Sequence, residues 1–519
     1  MRQQRRFLVG LSLFTGLAAL AGQLSGLTLS AGLALALPPA LLLWMATGNV
    51  IAPGIAWMAV AALTPMREVI AVLPPAALAV HLALVRERPV LRRTRVVPAR
   101  PLAAVPASLD PEDLPRLRLL LDRALQPIAR FRGFDQLDQY QTAALRYQVN
   151  FIAYALALAQ ARYLPAYRGH LAEAQRRLLA KLGEPVVWFY WRREALWGHL
   201  ALKSDPIARD NIMYSGFAAL QIGLTGGGDL RLNGKAGDEI ACHTPRDLGN
   251  ALRAQYETAP LGLVACEPGW VYPLCNAITA SGLAALDSEY RTGNWPAIRD
   301  RFAHHLGQDF TTESDRILPL RSSVTGFALP PVGGVVPEAM TSLFLNPVLP
   351  DFARMHWERI ASRLRQNRWR RDVWPVDTGN YRISRAASIA GTAAAAAEFG
   401  DTDLRDGLLD WLDDLHPASH VDGSCHRHGV SLWAHAVEVM ARLGDQNLLA
   451  QAVTRRKARP ALEAINWPEV EVLSAHQIEG ELRLTLWSEK PALARMTIQG
   501  RLVSHPVDGR TELSLKVQP

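Results

Sequence analysis

The stretch that decides the fold class of this chain reads YQTAALRYQVNFIAYALALAQA, from Tyr140 to Ala161. It is apolar on most of its faces, which is typical of a helix surrounded by other helices. The preceding segment, Leu114–Phe131, is amphipathic instead. An amphipathic helix followed by an apolar one predicts a pair in which the first helix is outer and the second is inner.

Further helices are predicted on both sides of breakers such as Gly226–Gly228 and Pro330–Gly334. They cover 166–182, 206–224, 245–257, 273–289, 295–306, 335–347, 350–366, 382–398, 402–414 and 429–443. About twelve helices in all predict an (α/α)6 barrel, with six apolar inner helices and six amphipathic outer ones. A helical solenoid is the alternative, but the chain shows no fixed repeat period.

The pattern changes near Val470, where short segments begin to alternate apolar and polar residues. This period of two predicts a small antiparallel sheet after the barrel. The segments are Val470–Leu473, Glu481–Trp487, Ala494–Ile498 and Thr511–Val517. The predicted organisation is a transmembrane module (1–85), a basic Pro-rich linker (86–110), a barrel domain (111–450) and a β-rich segment (460–519).

The N-terminal part contains no charged residue between Arg6 and Arg67, and a second uncharged run covers Val69–Val85. A bilayer span needs roughly 20 apolar residues, so the first run is too long for one helix and for a signal peptide. Both flanks, Met1–Arg6 and Arg86–Arg100, are rich in arginine and therefore predicted to be cytoplasmic. An even number of spans follows: four are predicted, with two as the alternative, in the inner (cytoplasmic) membrane with the globular part in the cytoplasm.

The same two flanks account for the whole net charge of +8. The globular part is then formally neutral, so it lacks the basic patch that nucleic-acid binding requires. Arginines at membrane edges can instead contact anionic lipid head groups. The composition excludes a nucleic-acid partner and indicates a membrane.

The most unusual local feature is the segment Cys266–Asn276, which reads CEPGWVYPLCN. It holds two of the four cysteines, with Glu267 and Asn276, in a loop that leads into a helix. A cytoplasmic location keeps thiols reduced and available for chemistry. The spacing of the thiols does not suit a compact zinc site. Buried inert thiols with Glu267 as a helix cap remain the alternative.

Two other segments are weaker candidates. Asp210–Phe217 opens a helix, and a simple N-cap at Asp210 or Asn211 would explain its polar start. Cys425–His428, with His420 nearby, carries thiol and imidazole groups that suit zinc. Adjacent residues rarely bind one ion together, so a polar loop is predicted there and no metal.

Together these segments resemble the linalool dehydratase/isomerase family. The resemblance rests on Cys266-Glu267-Pro268 with Cys275-Asn276, on Asn211-Ile212-Met213-Tyr214-Ser215-Gly216, and on Val187-Trp188. It extends over about 110–445 and implies an (α/α)6 barrel that isomerises or dehydrates an allylic isoprenoid alcohol without a cofactor. Pentamers in the family suggest a homo-oligomer.

Carried over to this sequence, the resemblance implies four catalytic residues: Cys266, Cys275, Tyr147 and Asp135. Asp138 is the alternative carboxylate. Residues expected to line the substrate pocket are Met213, Tyr214, Phe217, Glu267 and Asn276. The chain departs from the family at Phe217, where the family has a histidine, and near 318–321, where a pocket tyrosine has no evident counterpart.

The chemistry of such a site follows from the residue types. Ionising an allylic alcohol requires one proton delivered to the hydroxyl and another removed from carbon. A thiol in an apolar pocket stays neutral and can donate, while a second thiol or a buried carboxylate can accept. Cys275 begins a helix whose N-terminus stabilises negative charge, so Cys275 is expected to be the better thiolate and Cys266 the better acid.

Two other functions remain open at this stage. A carbohydrate-active (α/α)6 enzyme should carry paired carboxylates and aromatic residues, for which Asp377, Asp422 and Trp374 are available. A non-catalytic membrane scaffold or lipid-binding protein is the third alternative, and it requires no contact between the two thiols.

Overall fold

The computed structural model describes residues 107–517, except 140, 142, 202–204, 325, 332–333, 367–370, 380 and 458–459. The predicted transmembrane module (1–85) and most of the predicted linker (86–110) lie outside the described residues. Within the described range, none of the helices has both the length and the apolar character that a membrane span requires.

Six helices form a closed inner ring, in which each helix contacts the next and the last contacts the first. They are α2 (Leu145–Tyr163), α6 (Ile212–Thr225), α8 (Pro273–Tyr290), α10 (Val336–Leu345), α12 (Ala386–Glu398) and α14 (Leu432–Arg442). Nearly every residue of these helices is buried. The prediction of a mostly helical fold with apolar inner helices is confirmed.

An outer layer of amphipathic helices packs around the ring, and outer and inner helices alternate along the chain. They are α1 (Leu114–Ala124), α3 (Gly169–Leu182), α7 (Pro245–Thr258), α9 (Asn294–Asp309), α11 (Pro350–Gln366) and α13 (Thr402–Leu415). Short helices α4 (Pro185–Trp188) and α5 (Tyr190–His199) join α3 to α6, and α15 (Leu448–Thr454) contacts α2, α6 and α8. These six outer–inner pairs form an (α/α)6 barrel.

Local sequence explains where several helices begin. Thr244 and Asp247 form a reciprocal capping box at the start of α7, followed by Pro245 in the first helical position. Ser431 accepts a hydrogen bond from the Ala434 amide at the start of α14 (3.0 Å). Gly216 lets α6 and α8 approach closely, because a Cβ atom there would lie 1.9 Å from the Thr279 hydroxyl.

Within the described residues, eight short strands form four two-stranded antiparallel pairs in the connections, and four further strands form one antiparallel sheet at the C-terminus. The short strands are β1 (Leu230–Asn233), β2 (Glu239–His243), β3 (Trp270–Val271), β4 (Arg321–Ser322), β5 (Asp377–Gly379), β6 (Arg382–Ser384), β7 (Ala418–Val421) and β8 (Ser424–Arg427). The sheet consists of β9 (Leu462–Ile465), β10 (Glu471–Ile478), β11 (Glu481–Ile498) and β12 (Arg501–Lys516). The predicted antiparallel tail is confirmed.

The sheet is attached to the barrel by backbone hydrogen bonds to the connection between α2 and α3. The Ala166 amide donates to the Ala475 carbonyl (3.0 Å), and the Leu462 amide donates to the Ala166 carbonyl (2.9 Å). At the same side of the molecule, Arg162 near the end of α2 donates to the Leu443 carbonyl at the end of α14 (3.1 Å). The C-terminal ends of the inner helices therefore meet beside the tail, and their N-terminal ends meet at the opposite side.

Candidate active site

The two thiols of the Cys266–Asn276 segment meet at the N-terminal end of the barrel. Cys266 lies in the loop before α8, where its amide donates to the Trp270 carbonyl (2.9 Å), and Cys275 occupies the first turn of α8. Their exposed fractions are 2% and 4%, both are free thiols, and their side chains lie close to each other. Burial, followed by the contact with Cys275, raises the pKa of Cys266 well above its usual value. Cys266 is therefore protonated at neutral pH.

Asn276 holds the Cys266 loop against α8. Its side-chain oxygen accepts from the Val264 amide and the Tyr256 hydroxyl, both at 2.9 Å. Its side-chain nitrogen donates to the carbonyls of Val264 (2.9 Å) and Tyr272 (2.8 Å). Asn276, predicted to bind substrate, is fully buried and engaged in four protein hydrogen bonds. Its position makes it a clamp that fixes Cys266 relative to Cys275.

A buried charged group lies beside the thiols. The Arg146 guanidinium, at the start of α2, is 4.0 Å from the Glu267 carboxylate and lies over the Tyr190 ring, 4.4 Å from its centroid. Burial raises the pKa of Glu267 to about 7, although Arg146 opposes the shift. Burial and the negative charge of Glu267 likewise raise the pKa of Glu194 to about 7. Both carboxyls can exchange protons near neutral pH.

A second cluster of ionisable groups lies around Asp138. This fully buried carboxylate accepts a hydrogen bond from the Tyr381 hydroxyl, and the Tyr147 hydroxyl lies nearby. Its pKa is raised to about 7 by burial, against the effect of Tyr381. The buried Asp377 carboxyl is close enough for the charge of Asp138 to contribute to its pKa of about 8, for which burial is the main cause. We call Asp138, Tyr147, Tyr381 and Asp377 the carboxyl–tyrosine centre.

The structure distinguishes the two carboxylates considered from the sequence. Asp135 is half-buried, and its side chain accepts from the Leu432 amide at the start of α14 (2.8 Å). Its backbone amide donates to the Gln148 side chain (2.9 Å). Asp135 thus joins the starts of α14 and α2, whereas Asp138 contacts Tyr147. The geometry favours Asp138 over Asp135 as the active-site carboxylate.

Aromatic side chains fill the barrel below the thiols. The Phe151 ring lies 6.2 Å from that of Phe217 and 5.5 Å from that of Trp433. Tyr154 donates to the Phe217 carbonyl (2.8 Å), and its pKa is raised by burial and by its nearness to Cys275. Phe217 therefore belongs to an apolar wall close to the thiols.

The two remaining residues expected in the pocket lie at the start of α6. Met213 is half-buried and packs against the barrel core. Tyr214 is fully buried, and its hydroxyl donates to the Leu182 carbonyl at the end of α3 (2.7 Å). The side chain of Tyr214 thus joins α6 to the outer layer.

The other polar segments noted in the sequence are structural. Asn211 occupies the N-cap position of α6, but its side chain accepts from the Tyr190 hydroxyl (2.5 Å) and does not cap the helix. Cys425–His428 lies in the β7–β8 hairpin, where the Arg427 guanidinium donates to the buried Glu438 carboxylate (2.8 Å). No group of three or more His, Cys, Asp or Glu residues that could hold a metal occurs in the described ranges.

Arg146, Glu194 and Tyr381 were not predicted as site residues, and Asp377 was noted only for a carbohydrate-active alternative. For Arg146, the sequence offers one signal: it stands next to Tyr147 at the start of a helix. Adjacent residues at a helix start can reach two neighbouring groups of site residues. Tyr381 and Glu194 stand in segments without a chemical pattern, and their positions depend on how the connections fold over the barrel.

A wide groove of about 1810 Å³ lies at the opposite end of the barrel. It is lined by the C-terminal parts of α2 and α6, including Gln160 and Thr225, and by Ala107, where the described chain begins. None of the thiols or carboxyls of the candidate site lines this groove.

Comparison with known proteins identifies the family. A sequence profile described as linalool dehydratase/isomerase matches residues 146–433, which is more than half of the chain. The matched region begins at Arg146 and includes both thiols. Among solved structures, the chain is similar to an unsaturated glucuronyl hydrolase specific for heparin, with 14% identity and a TM-score of 0.38 over 63% of this chain and 94% of that one. The chain belongs to the linalool dehydratase/isomerase family, which is a family of enzymes.

Proposed function

We propose that this enzyme is a cofactor-independent hydro-lyase or isomerase that acts on an allylic isoprenoid alcohol of the linalool or geraniol type. The observation that supports this most directly is the buried contact between Cys266 and Cys275 within the region matched by the family profile. Two buried free thiols that lie close together at the N-terminal end of the barrel suit a chemical role.

The reaction requires two proton transfers at different atoms of the substrate. One proton goes to the hydroxyl oxygen, which leaves as water with the electrons of the C–O bond, and one is removed from a carbon next to the allylic cation. The thiol centre, with Cys266, Cys275 and Glu267, supplies one of the two acid–base groups. The carboxyl–tyrosine centre, with Asp138 and Tyr147, supplies the other.

The pKa values near neutrality support this assignment. Glu267 and Asp138 both have a pKa of about 7, so each is present in both protonation states at neutral pH. Phe217 stands where the family has a histidine, and it cannot transfer a proton. Proton transfer in this chain therefore depends on the thiols and the buried carboxyls.

The surroundings suit an apolar substrate. Phe151, Phe217 and Trp433 form a continuous aromatic wall in the barrel. Aromatic and aliphatic walls with a few polar groups are typical of sites for lipophilic ligands. The proposed N-terminal membrane module would keep the enzyme at the membrane, where such substrates accumulate. A homo-oligomer forms part of the proposal only through the family resemblance.

The decisive experiment is turnover of linalool and geraniol by Cys266→Ser and Cys275→Ser variants. A hydroxyl is a much weaker acid than a thiol, so we expect either variant to lose about 10²-fold or more of its activity. Cys242→Ser is the matched control, because Cys242 is exposed and distant from the site. Full activity of both active-site variants, on an alcohol that the parent converts, would show that the thiols do no chemistry.

Glycoside hydrolysis is the second candidate, favoured by the buried carboxyls Asp138 and Asp377. Glycosidases use two carboxyl groups on either side of the reacting bond. This candidate ranks below the first because it leaves Cys266 and Cys275 without a role. Release of sugar from a disaccharide by the purified protein, abolished in Asp138→Asn, would favour it over dehydration.

A further inference from the structure

Four buried polar groups beside Asp138 make no hydrogen bond to any described residue. They are the Asp377 Oδ1, Thr378 Oγ1, Ser388 Oγ and Trp433 Nε1 atoms. The exposed fractions of Asp377, Ser388 and Trp433 are only 1%, 0% and 7%. Buried polar groups in proteins are almost always hydrogen-bonded, so a concentration of unpaired ones indicates a place where a ligand binds.

The fold brings these groups together at the starts of α12 and α14. Asp377 begins β5, and its Oδ2 atom accepts from the Ala387 amide (2.7 Å), next to Ser388. The β5–β6 hairpin packs directly on the loop that carries Asp138, because a Cβ atom on Gly379 would lie 2.4 Å from the Leu137 carbonyl oxygen. Thr378 stands between Asp377 and Gly379 in that hairpin.

Trp433 belongs to the same cluster through its ring. The ring centroids of Trp433 and Tyr147 are 6.1 Å apart, and the Tyr147 hydroxyl lies against Asp138. Asp377 and Trp433 therefore lie beside Asp138 and Tyr147, and Thr378 and Ser388 stand next to residues that contact Asp377 or form part of the hairpin.

The chemical types of the unpaired atoms restrict the ligand. The indole N–H of Trp433 can only donate, so the ligand must offer an acceptor, which an ammonium group lacks. An anion is disfavoured by the charge that Asp138 carries when it is ionised. Ser388 and Thr378 can donate or accept. A neutral hydroxyl group, which does both, fits all of these partners.

We propose that Asp377, Thr378, Ser388 and Trp433 form a subsite that binds the hydroxyl group of the alcohol substrate. This hydroxyl subsite rests on the proposed function and specifies which end of the substrate each centre holds. Asp377 has a pKa of about 8, so it retains its proton at neutral pH and can donate to the ligand oxygen. The thiol centre then faces the carbon chain.

The spacing of the two centres suits a single small molecule. Arg146 contacts the thiol centre, and Tyr147, the next residue of α2, contacts the carboxyl–tyrosine centre. The Cα atoms of adjacent residues are about 3.8 Å apart, so the two centres lie at the same end of the barrel. An isoprenoid alcohol with its hydroxyl in the subsite can therefore extend to Cys266 and Cys275.

The test compares binding of linalool with binding of myrcene, a hydrocarbon that lacks the hydroxyl. In Ser388→Ala we expect the dissociation constant for linalool to rise about tenfold, the size of one lost hydrogen bond, and that for myrcene to stay unchanged. Folding should be unaffected, because the Ser388 hydroxyl has no partner within the described part of the chain. Thr378→Val should show the same selective loss.

Matched controls come from α10, where buried hydroxyls have partners. Ser342 donates to the Glu338 carbonyl (2.9 Å), and Thr341 donates to the Pro337 carbonyl (2.6 Å). Ser342→Ala and Thr341→Val should leave the affinities for linalool and myrcene unchanged, while lowering the melting temperature.

The outcomes separate the subsite from the proposed reaction. One outcome is that the parent protein binds linalool without converting it, while the two subsite variants lose affinity for linalool alone. That result would support the hydroxyl subsite and reject the proposed reaction. Equal linalool affinity in the parent and both subsite variants would overturn the subsite, even if turnover is observed. Failure of the parent to bind linalool at all would overturn both proposals.

Discussion

Buried carboxyl groups are the feature that most strongly determines how single residues behave in this site. Burial raises the pKa of Glu267 to about 7 and that of Asp377 to about 8. A carboxyl whose pKa is higher in the folded state binds more protons there than in the unfolded chain. The preference for the protonated carboxyl therefore stabilises the folded state fully at pH values below the pKa of the unfolded chain, which is near 4. This contribution to the free energy of unfolding is lost as the pH rises through the pKa of the folded state.

Asp377→Asn should test this directly, because asparagine imitates the protonated carboxyl. We expect the variant and the parent to have similar melting temperatures at about pH 3, below the unfolded pKa, and the variant to be the more stable one at about pH 9. Asp135→Asn, which changes the same group at a half-buried position, should show a smaller pH dependence. A difference that does not vary with pH would contradict the assignment of a protonated Asp377.

The sequence identified part of this residue-level arrangement. The family motifs led to Cys266, Cys275, Tyr147 and Glu267, and the structure brings these residues to one end of the barrel. The choice between Asp135 and Asp138 could not be made from the chain, because both follow Phe134 in a loop without periodicity. Which of them is buried depends on the distant β5–β6 hairpin, through Tyr381.

At the scale of elements, the connection between α7 and α8 depends on one side chain. Asn276 links the Val264 backbone, the Tyr256 hydroxyl and the first turn of α8. The loop is also held by the pairing of β3 with β4, and by the Ile212 amide, which donates to the Ala265 carbonyl (3.3 Å). Asn276, a side chain of α8, therefore helps to fix the position of Cys266.

Asn276→Ala should destabilise the protein by at least about 3 kcal/mol, because several buried partners lose their hydrogen bonds together. The loosened loop should also make Cys266 react faster with a small alkylating reagent. Thermal unfolding and mass spectrometry of the alkylated peptide measure the two effects. Asn233→Ala, which removes a single hydrogen bond to Glu184 (2.9 Å), serves as the control. Unchanged stability and unchanged Cys266 reactivity would show that the clamp is dispensable.

Element boundaries were predicted well where the apolar period was long. The predicted helix 350–366 agrees with α11 (Pro350–Gln366), and 245–257 differs from α7 by one residue. The predicted helix Leu114–Phe131 stops at Ala124, because the chain turns before Gly133, which has a positive φ of 79°. The hairpins β5–β6 and β7–β8 were missed, since strands of three or four residues are too short to show a period of two.

Closure of the inner ring of helices is a property of the whole barrel and not of any single element. Helix number and the apolar character of Tyr140–Ala161 predicted an inner layer, and the contact between α14 and α2 closes it. Closure depends on contacts between residues almost 300 positions apart, such as that of Asp135 with Leu432. Local patterns carry no information on such pairs, so the barrel could be predicted as a class but not in its detailed contacts.

The predicted membrane topology can be tested on the intact chain. A reporter fused after Arg100 should report a cytoplasmic position, because the arginines on both flanks of the uncharged runs favour that side. A fusion after Arg67 is the matched comparison: one span, Val69–Val85, separates Arg67 from Arg100, so with either four or two spans it should be on the side opposite to the cytoplasm. A periplasmic signal after Arg100 would reject an even number of spans.

The length of α2 separates the thiol centre from the groove at the opposite end of the barrel. Its 19 residues extend over about 30 Å, from Arg146 beside Glu267 to the groove where the described chain begins at Ala107. A molecule bound in the groove therefore lies the length of α2 away from Arg146 and takes no part in the chemistry of the thiols.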